Sequence, residues 1–224
     1  MTLCDVPTGR AGRRSKSLTL DQAEALLNAA ADSPLHAYIV LSLLTGARTE
    51  ELRALPWDET DLEGNPDRTP PIPPWIAVYH SARDGGDTKT VKSRRHLALP
   101  TRCVDALHQH RKNHPKRTSP QDLVFGTSAG TQLDAHNVRR SFRRIVKATG
   151  LNPAEWTPRE LRHSFVSLLS AAGVRIEDIS RLIGHSGTTT TEKVYRHQLH
   201  EVIQEGAAVM DEISPLDNAG QTPN

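Results

Sequence analysis

Apolar residues recur with the period of an α-helix along most of this chain, starting near Leu18. From Leu20 to about Ala31 they lie three or four positions apart, which predicts an amphipathic helix. Thr19, followed three residues later by Gln22, has the sequence of a capping box at the start of that helix. The folded part of the chain is therefore expected to begin near Leu18.

Two more helices are predicted before residue 56. One follows Pro34 and is broken by Gly46, and its apolar run is interrupted by polar residues and too short to cross a bilayer. A third helix is expected from about Arg48 to Leu55, with Glu51 one turn after Arg48. The residues from 58 to 74 are rich in proline and acids and predict an irregular loop.

The period changes to that of a β-strand in two stretches. Trp75 to His80 and Arg95 to Leu99 are rich in strand-forming residues, and they flank the turn-forming sequence Asp84 to Asp87. This pattern predicts a β-hairpin with a long connection and places Lys89 near the start of the returning strand. The fold class is thus mainly α with a small antiparallel β-sheet.

Helices return after the hairpin. We expect one from Pro100 to about Asn113, a short extended piece at Leu123 to Gly126, and a helix capped by Asp134. The inward face of this last helix is apolar, with Val138, Phe142, Ile145 and Val146. Its other face carries four arginines with no acidic residue among them: Arg139, Arg140, Arg143 and Arg144. This pattern favours a face that binds a nucleic-acid phosphate backbone over one that is merely solvated.

A strong helix start, Thr157-Pro158-Arg159-Glu160, places two arginines on one face. Thr157 is expected as N-cap, Pro158 at the first helical position, and Glu160 closing a capping box. Arg159 and Arg162 are then one turn apart near the positive end of the helix dipole, where they would repel each other unless an anion lay between them. A phosphate is the natural candidate.

Three further polar residues follow in a short span. A helix from Ile176 to Leu182 is predicted to end at Gly184, with His185 in the turn. Thr189 has the spacing to cap the next short helix, which would carry Tyr195 on its second turn. A helix-terminal histidine is more often structural than functional when seen alone.

Composition and length predict one main domain. We expect a flexible lead-in or linker remnant at 1–17, the main folded domain at 18–199, a C-terminal helix at 200–213 and a disordered tail at 214–224. Net charge is only +2, yet residues 89–117 hold nine basic residues and one acid, the footprint of a polyanion binder. Residues 200–224 hold five acids and no Lys or Arg.

Cysteine usage and the absence of an apolar leader favour a protein of the reducing cytoplasm with no membrane contact. Cys4 and Cys103 have neither disulfide nor metal spacing. His110 and His114 lie four residues apart on a predicted helix, but no third ligand is evident nearby, so metal binding is the less favoured interpretation.

Five short motifs, taken together and in order, resemble the tyrosine recombinase family, in particular the catalytic domain of phage and mobile-element integrases. The likeness covers roughly residues 18–199. The motifs are TGARTEEL at Thr45 to Leu52, TKTVKSRR at Thr88 to Arg95, RELRH at Arg159 to His163, LIGH at Leu182 to His185, and Tyr195.

The resemblance implies a role for each matching residue. Arg48 and Arg162 would grip the scissile phosphate, and His185 would donate a hydrogen bond to a nonbridging oxygen. Lys89 would be the general acid for the departing 5′ oxygen, and Tyr195 the nucleophile that forms a 3′-phosphotyrosyl intermediate. Glu51 would brace Arg48 or its neighbours, and Lys92 and Arg94 would contact DNA.

One position departs from the family pattern. The family usually has a histidine, thought to be the general base, where this chain has Arg159, and a guanidinium cannot accept a proton at neutral pH. Our hypothesis is that clustered guanidiniums lower the pKa of the phenol enough to make a dedicated base less important. The alternative is that another group, such as His163, takes the proton. A second departure is the ten-residue step from His185 to Tyr195, one residue longer than many members have.

The resemblance also implies partners. It points to double-stranded DNA, to self-association on DNA as a tetrameric synapse, and to accessory DNA-bending or directionality proteins, with no metal or nucleotide cofactor. The C-terminal helix is expected to dock on a neighbouring protomer. Two other functions stay open: a type IB topoisomerase-like enzyme that nicks and reseals DNA, and a catalytically weakened DNA-binding module.

Overall fold

The computed structural model describes residues 16–82, 94–114, 119–184, 202–203 and 205–215. Eight α-helices, two short 3-10 helices and four short strands form within these ranges. The helices are α1 (Leu20–Ala30), α2 (His36–Thr45), α3 (Thr49–Leu52), α4 (Thr101–Asn113), α5 (Ala135–Ala148), α6 (Arg159–Ala171), α7 (Ile176–Ile183) and α8 (Glu205–Ile213). The strands are β1 (Thr60–Asp61), β2 (Trp75–Val78), β3 (Arg95–Ala98) and β4 (Val202–Ile203).

Helix α2 lies at the centre of the core. Nine of its ten residues are buried, because α1, α4, α6 and α8 all pack against it. A helix that is apolar on all sides is stable only in such a position. No helix in the described ranges is long and apolar enough to cross a membrane.

The predicted capping signals set several helix ends. Thr19 and Gln22 form the reciprocal capping box of α1, and Asp134 accepts hydrogen bonds from the backbone N–H groups of His136 and Asn137 at the start of α5. Gly46 ends α2 in the left-handed region, with φ of 65°. The Thr19 and Asp134 caps and the Gly46 helix end are thereby confirmed.

The sheet has the order β1-β2-β3-β4. Strands β2 and β3 pair antiparallel as predicted, with Trp75 opposite Ala98 and Val78 opposite Arg95. Strand β1 pairs antiparallel with β2, although the sequence predicted only irregular loop there. Two residues are too few to show a period of two, so this strand has no signal in the sequence.

Residues 200–213 do not form one helix, which corrects the predicted C-terminal boundary. Val202 and Ile203 pair in parallel with β3, and α8 begins only at Glu205. Pairing at this edge satisfies backbone groups of β3 that would otherwise be open, and two β-branched residues suit a strand. Ser214, predicted to belong to a disordered tail, is buried and donates a hydrogen bond to Glu24.

Smaller corrections concern element ends. Helix α3 stops at Leu52 rather than Leu55, and the backbone continues in a tighter turn with hydrogen bonds to the third residue back. Leu55 precedes Pro56, and a residue before proline is disfavoured in the α region. Leu123 and Gly126 each form a single isolated bridge, not a strand.

Helix α6 begins one residue later than predicted, and Pro158 occupies the N-cap position instead of the first helical one. The side chain of Glu160 accepts hydrogen bonds from the backbone N–H and the hydroxyl of Thr157. Because the Thr157 hydroxyl donates to this carboxylate, only the glutamate half of the predicted capping box forms. The Glu160 carboxylate is nevertheless committed to the start of the helix, as the sequence indicated.

Candidate functional site

A cleft of about 380 Å³ lies between α3, α6 and the end of α7. Its lining includes the three arginines predicted to surround a phosphate and the neighbouring histidine: Arg48, Arg159, Arg162 and His163. Arg48 is the N-cap residue of α3, whereas the other three belong to α6. The fold therefore brings together residues that are more than 100 positions apart in the sequence.

Arg162 joins the ends of two helices. Its Nη1 donates to the carbonyl oxygen of Gly46 at 2.6 Å, and its Nη2 donates to the carbonyl oxygen of Ile183. Burial and the nearby positive charges of Arg48 and Arg95 lower the pKa of Arg162 to about 9. The guanidinium is thus charged at neutral pH, in a place where an added negative charge would be favourable.

Arg48 is held by a carboxylate one turn away. Its Nη1 donates to Glu51 Oε1 at 2.6 Å, and its backbone N–H donates to Glu51 Oε2 at 2.6 Å. Its Nη2 donates to the carbonyl oxygen of Gly184 at 3.3 Å. The predicted bracing contact between Glu51 and Arg48 is present.

Arg95 is a further arginine of the site that the sequence interpretation missed. Its side chain is buried and donates to both oxygens of Glu51, through Nη1 at 3.1 Å and Nη2 at 3.0 Å. Its Nε donates to the carbonyl oxygen of Leu182 at 2.7 Å. A signal existed, because in a period-two strand Arg95 shares a face with Leu97, and an inward arginine requires a buried acid.

The C-terminal end of α7 is the meeting point of the three guanidiniums. Three successive carbonyl groups accept one hydrogen bond each: Leu182 from Arg95, Ile183 from Arg162 and Gly184 from Arg48. These carbonyls carry the partial negative charge of the helix end, so cations are stabilised beside them. The residue that follows directly in the chain is His185.

Arg159 and His163 lie one turn apart on α6. Arg159 is exposed and also lines a smaller neighbouring pocket with Arg53 and Arg139. Partial burial, followed by the charge of Arg159, lowers the pKa of His163 below its ordinary value of 6.5. The imidazole of His163 is therefore neutral at pH 7 and able to accept a proton.

Four predicted site residues, Lys89, Lys92, His185 and Tyr195, lie outside the described residues. Arg94 is exposed, and its guanidinium lies 6.0 Å from the ring centroid of Tyr79. The side chains of α5 divide as predicted. Its apolar residues are buried, and its four arginines are exposed: Arg139, Arg140, Arg143 and Arg144.

The histidine pair on α4 makes structural contacts. His110 is buried and its Nε2 lies 2.7 Å from the carbonyl oxygen of Val124, while His114 Nδ1 lies 2.9 Å from the carbonyl oxygen of His110. No group of three or more metal-ligating side chains is found among the residues that the structure describes.

Comparison with known proteins shows the family of this chain. A sequence model of the phage integrase family matches residues 16–201, which is most of the chain. The chain belongs to the phage integrase family. An integrase of Streptomyces ambofaciens is 61% identical to this family member over 219 residues, which are 94% of the chain and 56% of the relative.

A more distant relative is a tyrosine recombinase XerC of Rhizobium meliloti (strain 1021). It is 28% identical over 193 residues, which are 82% of this chain and 55% of the relative. The chain thus spans about half the length of these curated relatives.

Solved structures confirm the predicted fold. A Tn1549 transposon integrase, solved in complex with transposon right end DNA, has a TM-score of 0.66 at 24% identity, covering 91% of this chain and 67% of that one. The lambda integrase catalytic core has a TM-score of 0.52 at 22% identity, and the match covers 77% of this chain and 92% of that one. The described helices and the small sheet therefore form a tyrosine recombinase catalytic-domain fold.

Proposed function

We propose that this chain carries the catalytic domain of a site-specific DNA recombinase that cleaves and rejoins DNA strands through a 3′-phosphotyrosyl intermediate. The observation that carries the proposal is the cleft, in which Arg48 and Arg162 lie together, each fastened by hydrogen bonds to the protein. Fixed guanidiniums stabilise the negative charge that develops on phosphate oxygens during displacement, and they need no reorganisation to do so.

The proposed chemistry begins with attack on a phosphodiester. The phenolic oxygen of Tyr195 forms a bond to phosphorus while the bond to the 5′ oxygen breaks, and Lys89 gives a proton to that leaving oxygen. His185 donates a hydrogen bond to a nonbridging oxygen. The phosphotyrosyl bond stores the energy of the broken one, so a 5′ hydroxyl from another strand reseals the backbone by the reverse steps.

The fate of the Tyr195 proton is the point at which this chain differs from its family. Our hypothesis is that the clustered guanidiniums of the cleft would favour the phenolate of Tyr195 and so make a dedicated base less important. His163 lines the same cleft and has a lowered pKa, so it remains the alternative acceptor. Arg159→His tests the hypothesis: a strong rise in cleavage would mean that the arginine impairs the reaction and does not assist it.

Double-stranded DNA is the proposed partner. The exposed arginines of α5 would contact its phosphates, since a basic helix face with no acids on it suits a polyanion. We also propose self-association on DNA. Helix α8 packs on its own domain in this structure, with Met210 fully buried and Asp211 bonded to Thr101. Truncation after Leu199 tests whether the segment also links protomers, because an unchanged oligomer distribution on DNA would exclude that role.

A nicked suicide duplex provides the decisive test. Covalent protein–DNA product that disappears in Tyr195→Phe supports catalysis, whereas binding without any product supports the DNA-binding module, for which Arg159 in the cleft is the specific observation. Strand exchange between two labelled duplexes then separates a recombinase from a topoisomerase-like enzyme, which would only relax supercoils.

A further inference from the structure

We propose that Arg95 is a positioning residue for strand cleavage, which neutralises Glu51 and fastens the end of α7 so that Arg48 and the chain entering His185 are held at the scissile phosphate. This inference rests on the proposed function and adds to it a residue that would not touch DNA.

Arg95 is placed to act through the protein. Only 6% of its surface is exposed, and its three guanidinium nitrogens are all occupied, two by Glu51 and one by the carbonyl oxygen of Leu182. A forked, two-bond contact with a carboxylate fixes both partners in orientation as well as in distance. Arg48 and Arg162, by contrast, line the cleft.

The buried carboxylate of Glu51 explains why a second arginine is required. Its side chain is 2% exposed and receives four donors, two from Arg48 and two from Arg95. If Arg95 were removed, only the two hydrogen bonds from Arg48 would remain at the Glu51 carboxylate. Arg48 would then be drawn toward the carboxylate and would be a weaker partner for a phosphate.

The position of Arg95 in the fold joins three segments that carry predicted site residues. It opens β3, six positions after Lys89, and it contacts α3 through Glu51 and α7 through Leu182. The approach to α7 is close, because a Cβ added to Gly184 would lie 3.1 Å from Arg95 Nη1. A shift of Arg95 would therefore be passed to the residue before His185.

The test compares Arg95→Met, Arg95→Lys and the double variant Arg95→Met/Glu51→Gln. Arg102→Met is the matched control, because it also removes a partly buried arginine from a carboxylate, that of Glu24, at the contact of α4 with α1. Two quantities are measured on each protein. One is the single-turnover rate of covalent product formation on the nicked duplex, and the other is DNA affinity in a Tyr195→Phe background.

We expect Arg95→Met to slow cleavage on the order of a hundredfold, as a small misplacement of catalytic groups does, while DNA affinity changes only about threefold. Arg95→Lys keeps the charge but not the fork, so it should recover part of the rate. The double variant should cleave faster than Arg95→Met, because the unbalanced carboxylate is gone. It also remains informative if Arg95→Met fails to fold, since it leaves no buried carboxylate short of a partner, and the comparison is then with wild type and Arg95→Lys.

Each result decides one claim. Cleavage by Arg95→Met at the rate of Arg102→Met would overturn the proposal, and so would a rate loss matched by an equal loss of DNA affinity. A folded double variant no faster than folded Arg95→Met would overturn the neutralising role of Arg95. If the wild-type protein itself yields no Tyr195-dependent product, the proposed function fails, and the inference about Arg95 fails with it.

Discussion

Gly46 stands between the core and the cleft, and its replacement by alanine tests how tightly the two are joined. It ends α2 with φ of 65°, and its carbonyl oxygen accepts the 2.6 Å hydrogen bond from Arg162. A Cβ built at this position would lie 2.4 Å from Cδ1 of Phe165 on α6. Real Cβ atoms do not approach that closely, so either the ring or the turn must move.

The expected loss of free energy of unfolding in Gly46→Ala has two parts. A non-glycine residue in the left-handed region costs about 1–2 kcal/mol. Forcing an extra methyl group into a packed interior costs about 1–3 kcal/mol more. Gly150 isolates the first part, because its φ is 79° but a Cβ there would meet no atom within 4 Å.

Urea unfolding followed by circular dichroism measures both variants. We expect Gly46→Ala to lose about 1–3 kcal/mol more free energy of unfolding than Gly150→Ala. This difference between the two variants is the overpacking part alone. Adding Phe165→Leu to Gly46→Ala should recover part of that difference, although Phe165→Leu alone is destabilising. Equal losses in Gly46→Ala and Gly150→Ala would refute the claim that close contact with Phe165 requires glycine at position 46.

Three further predictions address charge and docking. Burial raises the pKa of Glu51, but its arginine partners more than offset this and leave it below the ordinary 4.5. The stabilisation from this ionised group is present above pH 4.5 and is lost as pH falls through the folded pKa. Glu51→Gln should therefore be less stable at pH 7, and its melting temperature should fall less steeply than that of the wild type as the pH is lowered. Equally steep falls of the two melting temperatures would contradict this. Arg143→Gln should reduce the slope of log affinity for DNA against log salt by about 0.9 if Arg143 contacts one phosphate. Arg175→Gln, at the N-cap of α7, is the control and should leave the slope unchanged. Asp211 accepts the backbone N–H of Thr101 at 2.7 Å, so Asp211→Ala should cost about 1 kcal/mol in urea unfolding, and no loss would mean that α8 is not docked there in solution.

Local signals in the sequence were sufficient for most of the helices. The capping residues Thr19 and Asp134 and the helix-ending Gly46 act through backbone groups within four positions, so their effects can be predicted without a fold. The strands β1 and β4 could not be predicted in this way, because each has two residues and exists only through pairing with a distant partner. Their stability comes from the sheet and not from their own sequence.

The residues of the candidate site were also predicted only in part from the sequence. The presence of Arg48 and Arg162 in one cleft was expected from the family motifs, and Glu51 was expected beside Arg48 from its spacing. Arg95 was missed because its partners, Glu51 and Leu182, are 44 and 87 positions away. Sequence alone suggests that an inward arginine needs an acid, but only the fold shows which one.

The charge balance of the site explains why an enzyme of this kind would have a helix end at its centre. Three buried or half-buried guanidiniums, those of Arg48, Arg95 and Arg162, lie near two carboxylates: Glu51, which pairs with Arg48 and Arg95, and Glu50, which also lines the cleft. The three cations outnumber the two acids, and burial together with the charges of Arg48 and Arg95 lowers the pKa of Arg162. The C-terminal carbonyls of α7 stabilise the cluster with partial charges only. Carboxylates in place of these carbonyls would compete with a phosphate, whereas backbone carbonyls orient the arginines and leave their charge available to an incoming anion.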